Sequence, residues 1–290
     1  MIATIENEKV IVSITAKGAE LQSIRLKEDS AEYLWQGDAK YWRRRAPVLF
    51  PTVGRLVNDT YFVDGKPYSL TQHGFARDLT FTVLEQTKTN ITYGVTSNEE
   101  TLQKYPFEFQ LLISYTLEET SLRVTYEVHN KNEDNMYFSI GGHPGFNCPL
   151  REGETFTDYY LSFSEQETLE TSILEGPFLS DKKVVIAEEA TELPLTYDLF
   201  KNDALIFEHM NKQEMTIRSH NHNKFVKVAF EGFPFVGVWT PGEGAPFLCI
   251  EPWYGIADEV NPAKDITEKK GIQKLQANET FTCHYDITIG

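Results

Sequence analysis

Strict alternation of apolar and polar residues is the feature that most constrains this chain. In SLRVTYEVHN, residues 121–130, the side chains of Leu122, Val124, Tyr126 and Val128 fall on one side of an extended backbone, and polar side chains fall on the other. Period-two alternation is typical of a strand with one buried face. The run FEFQLLISYTL precedes it and is separated from it only by EET. We therefore expect the two runs to form an antiparallel hairpin.

The same pattern recurs from end to end of the chain. Similar runs are KVIVSIT, LTFTVLEQ, NITYGVTS, ALIFEHM, EMTIRSH, KFVKVAF, FVGVWT, PFLCIEP and FTCHYDITI. Only NEETLQKYP is typical of a helix, with Asn98 or Ser97 as its N-cap and Pro106 at its end. The predicted fold class is all-β: a large antiparallel β-sandwich with very little helix.

The domain organisation follows from length and from the spacing of these runs. Large β-sandwiches commonly reach about 200–250 residues without dividing, and the chain has neither a repeat nor a Gly/Ser-rich linker. We expect residues 1–290 to form a single domain. The acidic stretch 164–193 is interpreted as long surface loops between strands.

Charge and cysteine content limit the function. The formal net charge of −16 argues against nucleic acid or an anionic membrane as the partner, because phosphate binding depends on a basic surface. No basic leader and no long apolar segment is visible. These features favour a neutral small molecule as the ligand of a cytoplasmic protein, which we expect to be a monomer or a homodimer. Cys148, Cys249 and Cys283 lack the spacing of a zinc site or a disulfide framework and are predicted to be reduced, buried thiols.

Two segments carry candidate groups for proton transfer. His143 lies in IGGHPGFN, where two glycines allow close approach to the backbone and Pro144 holds His143 extended. It is either a structural turn histidine or a proton donor at a strand end. Glu251 lies in FLCIEPWYG, where apolar neighbours would raise the pKa of its carboxyl towards the range of a general base. The alternative is a glutamate at a strand end that reaches water.

Three further side chains could bind a polyhydroxylated ligand. Arg55 in FPTVGRLVND offers a fork of donors, His73 in LTQHGFARDL donates or accepts, and Asp203 in LFKNDALIFEH accepts. Each also fits a structural role, as an ion-paired arginine, a turn-capping histidine or half of an Asn-Asp turn. Aromatic side chains able to stack on the C–H face of such a ligand are Trp239, Trp253, Tyr254 and Phe75.

Other motifs argue against a metal or a nucleotide cofactor. His220 and His222 in SHNHN have no thiol or carboxylate at ligand spacing. The run RRRAP, residues 43–47, could attract a phosphate, although local ion pairs are the more frequent use of such arginines. The loop PGEGAP has neither the lysine of a phosphate-binding loop nor the glycine spacing of a dinucleotide site. No metal and no cofactor is predicted.

Seven segments in order resemble the aldose 1-epimerase (galactose mutarotase-like) superfamily, and its LacX-like branch most. They are GAELQSI, FPTVGR, QHGFAR, GGHPGFN, NDALIF, GVWT and FLCIEPWYGIAD, and the resemblance extends from about residue 3 to 288. It implies a β-supersandwich with a sugar lying across a concave sheet. It also implies a reaction that needs neither metal nor cofactor.

The resemblance also implies a role for each matching residue. Glu251 would be the general base at the C1 hydroxyl, and His143 the general acid at the ring oxygen. His73 would assist at that oxygen, while Arg55 and Asp203 would bind hydroxyls. A reversible reaction of this kind requires a carboxyl and an imidazole that can each be protonated or deprotonated near pH 7.

Two segments depart from the pattern of the galactose-preferring enzymes. Gly54 precedes Arg55 where those enzymes carry an asparagine, and the segment at His73 reads HGFAR where those enzymes carry a longer HGG-type loop. Trp239 lies in the neighbourhood of the glutamine that touches the sugar in those enzymes, and is a further candidate for substrate binding. These departures bear on the identity of the sugar more than on the type of reaction.

Three alternatives remain open at this stage. The substrate could be a hexose 6-phosphate, with the phosphate bound by arginines 43–45 or by Arg77. The enzyme could be a glycoside hydrolase that uses Glu251 and Asp203 as its carboxylate pair, with the two carboxyls about 5–10 Å apart. The protein could also bind a sugar without catalysis.

Overall fold

The computed structural model describes residues 2–290. Within them the chain forms 22 strands and a single α-helix. The strands are β1 (Ile2–Glu6), β2 (Val10–Thr15), β3 (Leu21–Leu26), β4 (Val48–Leu49), β5 (Thr60–Val63), β6 (Lys66–Ser69), β7 (Thr82–Gln86), β8 (Asn90–Thr96), β9 (Phe109–Glu118), β10 (Ser121–Asn130), β11 (Met136–Phe138), β12 (Ile140–Gly142), β13 (Gly145–Asn147), β14 (Tyr159–Glu175), β15 (Phe178–Pro194), β16 (Leu205–Glu208), β17 (Glu214–Ser219), β18 (Phe225–Ala229), β19 (Phe235–Trp239), β20 (Phe247–Tyr254), β21 (Gln273–Leu275) and β22 (Thr280–Ile289).

The remaining regular structure is short. The helix α1 spans Glu99–Lys104, and the side chain of Asn98 caps it by accepting a hydrogen bond from the backbone N–H of Thr101. Isolated 3₁₀ turns cover Val57–Asp59, Ala76–Asp78, Phe156–Asp158, Tyr197–Phe200 and Ile266–Glu268. The predicted scarcity of helix and the predicted cap at Asn98 are confirmed. None of the helices in residues 2–290 has the length and hydropathy needed to cross a membrane.

One large sheet dominates the molecule. Its strand order is β4-β12-β20-β19-β16-β14-β17-β18-β22-β10-β9-β8-β7, with β13 paired to β20 and β15 paired to β14. Every pairing between its strands is antiparallel, and β9 and β10 form the predicted hairpin with Leu122 opposite Leu117. The predicted buried face of β10 is confirmed, because its residues alternate between buried and more exposed positions.

A second sheet packs against this one. Strands β1, β2 and β3 form a three-stranded antiparallel sheet, and the hydroxyl of Tyr115 on β9 donates to the carbonyl of Ala19 beside β3. The buried cluster of Ile14, Tyr115 and Val228 joins β2 to both halves of the large sheet. The all-β fold class with sheets packed face to face is therefore confirmed. All three cysteines are buried and free, as expected.

The interpretation of residues 164–193 as surface loops is wrong. Strands β14 and β15 form a hairpin of two 17-residue strands that covers this stretch. Most side chains of β15 are exposed, and β15 pairs with no strand other than β14 among the described residues. Charged residues are the usual protection of an exposed edge strand against pairing with another chain. The acidity that suggested loops belongs to the solvent face of an edge strand.

Candidate active site

Strand register brings His143 and Glu251 together. Gly141 of β12 and Gly145 of β13 pair with β20 two residues after and two residues before Glu251, in one common register. The carbonyl of Pro144, in the break between β12 and β13, accepts a hydrogen bond from β20 at 3.3 Å. His143 thus lies opposite Glu251 across the two strands. A cross-strand pair of this kind has its side chains on the same face.

The two glycines before His143 allow this close packing. A Cβ atom on Gly141 would lie 2.7 Å from the ring of Trp253, and one on Gly142 would lie 2.7 Å from the hydroxyl of Tyr285. Either distance is too short for a real side chain. The expectation that another group approaches the backbone at this point is confirmed. The groups that approach the backbone are the indole of Trp253 on one side and the phenol of Tyr285 on the other.

The two side chains form a buried acid/base pair. His143 Nε2 lies 3.2 Å from Glu251 Oε2, and the residues are 8% and 2% exposed. Burial raises the pKa of the Glu251 carboxyl well above its usual value, and the charge of Asp203 adds to that shift. Burial also lowers the pKa of His143 to about 3, with Arg77 and Arg44 acting in the same direction.

The protonation of this pair differs from the expectation of an imidazole that titrates near pH 7. Removal of the ring from water shifts the pKa of His143 below that range. Burial favours the neutral form of both groups, so besides the N–H of the neutral imidazole the pair holds one proton, on the carboxyl. A carboxylate with an imidazolium contains the same number of protons. Transfer of that proton from Glu251 to His143 would give the carboxylate base and the imidazolium acid that the family resemblance implies.

His73 stands beside this pair with a defined tautomer. The rings of His73 and His143 lie at right angles with their centroids 5.6 Å apart. The backbone N–H of Gly54 donates to Nδ1 of His73 at 3.1 Å, and burial keeps the pKa of His73 well below its usual value. A neutral imidazole that accepts at Nδ1 carries its proton on Nε2. His73 is therefore a hydrogen-bond donor at Nε2.

Aromatic side chains enclose His143. Trp42 stacks on the imidazole with centroids 4.7 Å apart, and Trp239 meets it edge-on at 5.6 Å. Sequence reasoning named Trp239 but missed Trp42. The only signal for Trp42 was an aromatic residue next to three arginines, which does not by itself indicate burial.

A charged wall completes the site. Asp203 adopts a left-handed backbone with φ of 84°, and its side chain accepts a hydrogen bond from the N–H of Ala204 at 2.8 Å. Arg55 and Arg77 both donate to Gln72, the first to its side-chain oxygen at 3.2 Å and the second to its backbone carbonyl at 2.5 Å. Gln72 was not singled out from the sequence.

A buried ion pair fixes the loop that carries Arg55. The carboxylate of Asp258 accepts from Lys269 Nζ at 2.8 Å and from the backbone N–H of Val57 at 2.9 Å. The N–H of Asp258 donates to the carbonyl of Arg55 at 2.9 Å. Asp258 and Lys269 are 6% and 8% exposed. The segment that follows Glu251 in the chain therefore holds the loop of Gly54 and Arg55 in place.

All these groups line one cleft of about 560 Å³, a volume within the usual range for small-molecule sites. The six predicted catalytic and substrate-binding residues all line it: Arg55, His73, His143, Asp203, Trp239 and Glu251. Arg77, considered for a phosphate, lines it as well. Of the other aromatic candidates, Trp253 lines the cleft, whereas Tyr254 and Phe75 do not. The cleft is therefore lined by residues from both the N-terminal and the C-terminal half of the chain.

Two other groups considered from the sequence lie elsewhere. Arginines 43–45 do not line the cleft; Arg44 is paired with Asp78, and Arg45 donates to Gln22 at 2.6 Å. The phosphate role considered for this triplet is therefore not supported by its position. His220 stacks on Tyr160, and His222 is paired with Glu154 at 3.1 Å.

One group within residues 2–290 has the spacing of a metal site. The ligand atoms of His143, Cys249 and Glu251 all lie within 4.8 Å of one another, and all three residues are buried. A metal would require the thiolate of Cys249. Burial raises the pKa of that thiol well above its usual value, and the charge of Glu251 acts in the same direction. A metal at this place would have to displace the proton of the thiol and the proton of the Glu251 carboxyl.

Comparison with known proteins identifies the family of this site. The family model described as aldose 1-epimerase matches residues 1–271. The chain belongs to the aldose 1-epimerase family. The chromosomal LacX protein of Lactococcus lactis subsp. lactis is 35% identical over 306 aligned positions, which include 100% of this chain and 99% of LacX.

Solved structures agree with this assignment to the aldose 1-epimerase family. A galactose mutarotase related enzyme from Lactobacillus acidophilus is 38% identical, with a TM-score of 0.95 over 100% of this chain and 97% of its own. A galactose mutarotase-like protein from Lactobacillus casei is 34% identical, with a TM-score of 0.92 and full coverage of both chains. The predicted resemblance is confirmed. Family membership makes the chain a sugar epimerase or mutarotase, a type of isomerase.

Proposed function

We propose that the protein is a cofactor-independent aldose 1-epimerase that interconverts the α and β anomers of a hexose. The observation that carries the proposal is the His143–Glu251 pair, with 3.2 Å between Nε2 and Oε2 on the wall of the cleft of about 560 Å³. Opening a cyclic hemiacetal needs one proton removed and one delivered. The pair supplies both groups at positions fixed by strand pairing.

In the first half-reaction the ring opens. The Glu251 carboxylate accepts the proton of the C1 hydroxyl while the imidazolium of His143 delivers a proton to the ring oxygen. The bond between C1 and the ring oxygen breaks, its electron pair stays on that oxygen, and C1 becomes an aldehyde. His73 donates a hydrogen bond from Nε2 to the same oxygen, since its Nδ1 already accepts from Gly54. Each well-placed acid or base contributes about 10²–10⁴-fold.

In the second half-reaction the ring closes on the other face of C1. Rotation about the C1–C2 bond turns the aldehyde over. Neutral His143 removes the proton of the C5 hydroxyl as its oxygen attacks C1, and the Glu251 carboxylic acid returns a proton to the carbonyl oxygen. The protein ends in its starting state, so no oxidant, reductant or metal enters the balance. Arg55 and Asp203 bind hydroxyls, and Trp239 bounds the cleft beside the sugar.

The neighbours of Glu251 favour this reaction over glycoside hydrolysis. A hydrolase of the usual kind needs two carboxyls across the scissile bond. The titratable side chain at hydrogen-bond distance from Glu251 is an imidazole, and Asp203 is exposed at the rim. A non-catalytic sugar receptor would gain nothing from burying a carboxyl and an imidazole together, at a cost in solvation.

Polarimetry of freshly dissolved α-glucose and α-galactose tests the proposal. With the protein present, rotation should reach its equilibrium value faster than in buffer alone, in proportion to protein concentration. Incubation with a reducing disaccharide should release no monosaccharide. Ligand-induced stabilisation without faster mutarotation would instead favour a binding protein, and release of monosaccharide would favour a hydrolase.

A further inference from the structure

The indole of Trp253 lies across the strands that carry the acid/base pair. Trp253 of β20 pairs with Gly141 of β12, whereas Glu251 of β20 pairs with Gly237 of β19. A Cβ atom on Gly141 would lie 2.7 Å from Cδ1 of the indole, and one on Gly237 would lie 2.5 Å from its Cζ2. Both distances are too short for a real side chain, so glycine is required on both neighbouring strands. The sheet therefore fixes the position of the indole.

The N–H edge of this indole lies beside Glu251. Nε1 lies between Cδ1 and Cζ2 in the ring, so the two glycine contacts place that edge across β20. Glu251 and Trp253 are two residues apart on β20 and project from the same face. Burial raises the pKa of the Glu251 carboxyl most and the charge of Asp203 adds to it, whereas the N–H of Trp253 acts in the opposite direction. The indole is thus a neighbour of the proton-transfer pair that favours a carboxylate.

The same N–H has unused hydrogen-bonding capacity. Trp253 is 6% exposed, and among the described residues 2–290 no acceptor meets its Nε1 in hydrogen-bond geometry. A buried N–H without an acceptor costs free energy, and native proteins leave few of them. Trp253 also lines the cleft. What the resting pair lacks is an acceptor for this donor.

The other groups around the pair differ from Trp253 in that they titrate. They are His143 from the β12–β13 junction, His73 from the segment between β6 and β7, Cys249 from β20, Asp203 from the segment before β16, and Arg77 and Arg44 further out. Burial lowers the pKa of His73 and raises the pKa of the Cys249 thiol, so neither brings a charge to Glu251. Asp203 opposes a negative charge there. The indole N–H donates and keeps its proton throughout the pH range of the reaction.

Proton transfer within the pair creates the acceptor that Trp253 lacks. When the proton of Glu251 moves to Nε2 of His143, an O–H bond breaks, an N–H bond forms and a carboxylate appears beside the indole. A hydrogen bond to a charged group changes an equilibrium constant by about 10–100-fold. An acceptor with two oxygens can take this bond and still accept the proton of the C1 hydroxyl.

We propose that Trp253 is a positioning residue for the general base, whose Nε1–H donates to the Glu251 carboxylate and stabilises the reactive form of the pair. The proposal rests on the proposed epimerase function and adds a residue to it. The sequence indicated Trp253 only as a ring that could stack on a sugar. In the reaction it acts through Glu251.

Two replacements that remove the N–H test this role. Trp253→Phe keeps an aromatic ring, and benzothienylalanine inserted at position 253 keeps the shape of the indole with sulfur in place of the N–H. The kcat of anomer exchange on glucose and galactose should fall about 10–100-fold in both proteins. The pKa of the Glu251 carboxyl should rise by the logarithm of the same factor, about one to two pH units, because both quantities follow the stability of the carboxylate.

NMR of protein with isotope-labelled glutamate carboxyl carbons measures this pKa, and the Glu251→Gln protein assigns the signal by its loss. Tyr254→Phe is the matched control. Tyr254 follows Trp253 on β20, projects from the other face and does not line the cleft. Its replacement also removes one polar hydrogen, and it should leave both kcat and the pKa of Glu251 at their wild-type values. The benzothienyl protein keeps the test decisive if Trp253→Phe does not fold.

Two results would overturn the role of Trp253. One is a benzothienyl protein with wild-type kcat and an unchanged pKa of Glu251. The other is a lower kcat without a higher pKa, because the N–H would then act on the sugar and not on Glu251. Wild-type protein that accelerates the exchange of no aldose would contradict the epimerase function instead. The pKa comparison needs no sugar, so it still decides whether Trp253 stabilises the Glu251 carboxylate.

Discussion

His143 Nε2 and Glu251 Oε2 lie 3.2 Å apart, although their residues come from different strands and distant parts of the chain. The distance is set by the register in which β12 and β13 pair with β20. Glycines at 141 and 142 let those strands press against Trp253 and Tyr285. The acid/base pair is therefore built into the sheet, where a backbone shift is more costly than in a loop.

Replacing Glu251 by glutamine should stabilise the protein at neutral and alkaline pH. Because the folded-state pKa of Glu251 is raised, its contribution to stability is fully present below the unfolded value of about 4.5 and is lost as pH rises through the folded pKa. Glutamine stays neutral. The gain in free energy of unfolding for Glu251→Gln should be near zero at pH 4 and grow by about 1.4 kcal/mol per pH unit until the raised pKa is reached.

Denaturant titrations at pH 4, 6 and 8 measure this difference. Glu243→Gln is the control, because Glu243 is exposed and its replacement should change stability little at any pH. If the two variants behave alike across this range, the carboxyl of Glu251 does not have a raised pKa.

Gly54→Ala should reduce both stability and activity. Gly54 has a φ of 73°, and a Cβ atom there would lie 2.5 Å from the Cβ of Ala257. We expect a loss of about 1–3 kcal/mol in the free energy of unfolding. The N–H of Gly54 also donates to Nδ1 of His73, so kcat should fall as that ring loses its fixed orientation.

Gly65→Ala is the control that separates the steric clash at position 54 from the free-energy cost of a positive φ. Gly65 has nearly the same φ, 74°, but nothing lies within 4 Å of its Cβ position. Thermal unfolding should show a smaller loss than for Gly54→Ala, about 1 kcal/mol, and mutarotation should keep its wild-type rate. A Gly54→Ala protein with wild-type kcat would mean that His73 does not depend on this contact.

Trp42→Ala should raise the pKa of His143. Burial is the largest cause of the low pKa of His143, and Trp42 covers one face of its ring. Removal of the indole would admit water and move the pKa from about 3 towards the ordinary value near 6.5. An NMR titration of the imidazole C–H signals measures the shift. Trp42→Phe, which keeps a stacking ring, should shift it less; an unchanged pKa in Trp42→Ala would assign the burial to other residues.

Asp258→Asn should destabilise the protein by about 3–5 kcal/mol, because it leaves the buried Lys269 ammonium without its charged partner. Chemical denaturation should show this loss, and adding Lys269→Met to the variant should recover much of it. The exposed pair of Lys104 and Glu100 provides the control, since Lys104→Met should change stability little. Equal effects of Asp258→Asn and Lys104→Met would contradict a structural role for the buried pair.

Much of the fold could be predicted because each strand leaves a pattern in a short segment of sequence. Alternation such as that of Leu122, Val124 and Tyr126 depends only on the geometry of one strand, and it predicted β10 and its hairpin partner correctly. Glycines before His143 and apolar residues before Glu251 were likewise visible in short segments. That these two residues meet depends on the pairing of strands far apart in sequence. The family resemblance supplied that pairing, and local pattern did not.

The features that the sequence did not predict depend on contacts between distant segments or on side chains that obscure the local pattern. The hairpin of β14 and β15 was hidden by acidic side chains on its solvent face. Trp42 lies in a segment without regular structure, so its stacking on His143 depends on how that segment folds back over β13 and β20. The low pKa of His143 follows from the enclosure that this aromatic residue helps to create.

The rate of anomer exchange in Glu251→Gln and His143→Asn proteins, measured by NMR on glucose and galactose, tests the central claim most directly. Both variants should keep the wild-type fold, and each should lose at least about 10²-fold in kcat. The double variant should lose little more than either single one, because the two groups act as a unit. A folded Glu251→Gln protein that exchanges anomers at the wild-type rate would contradict the account.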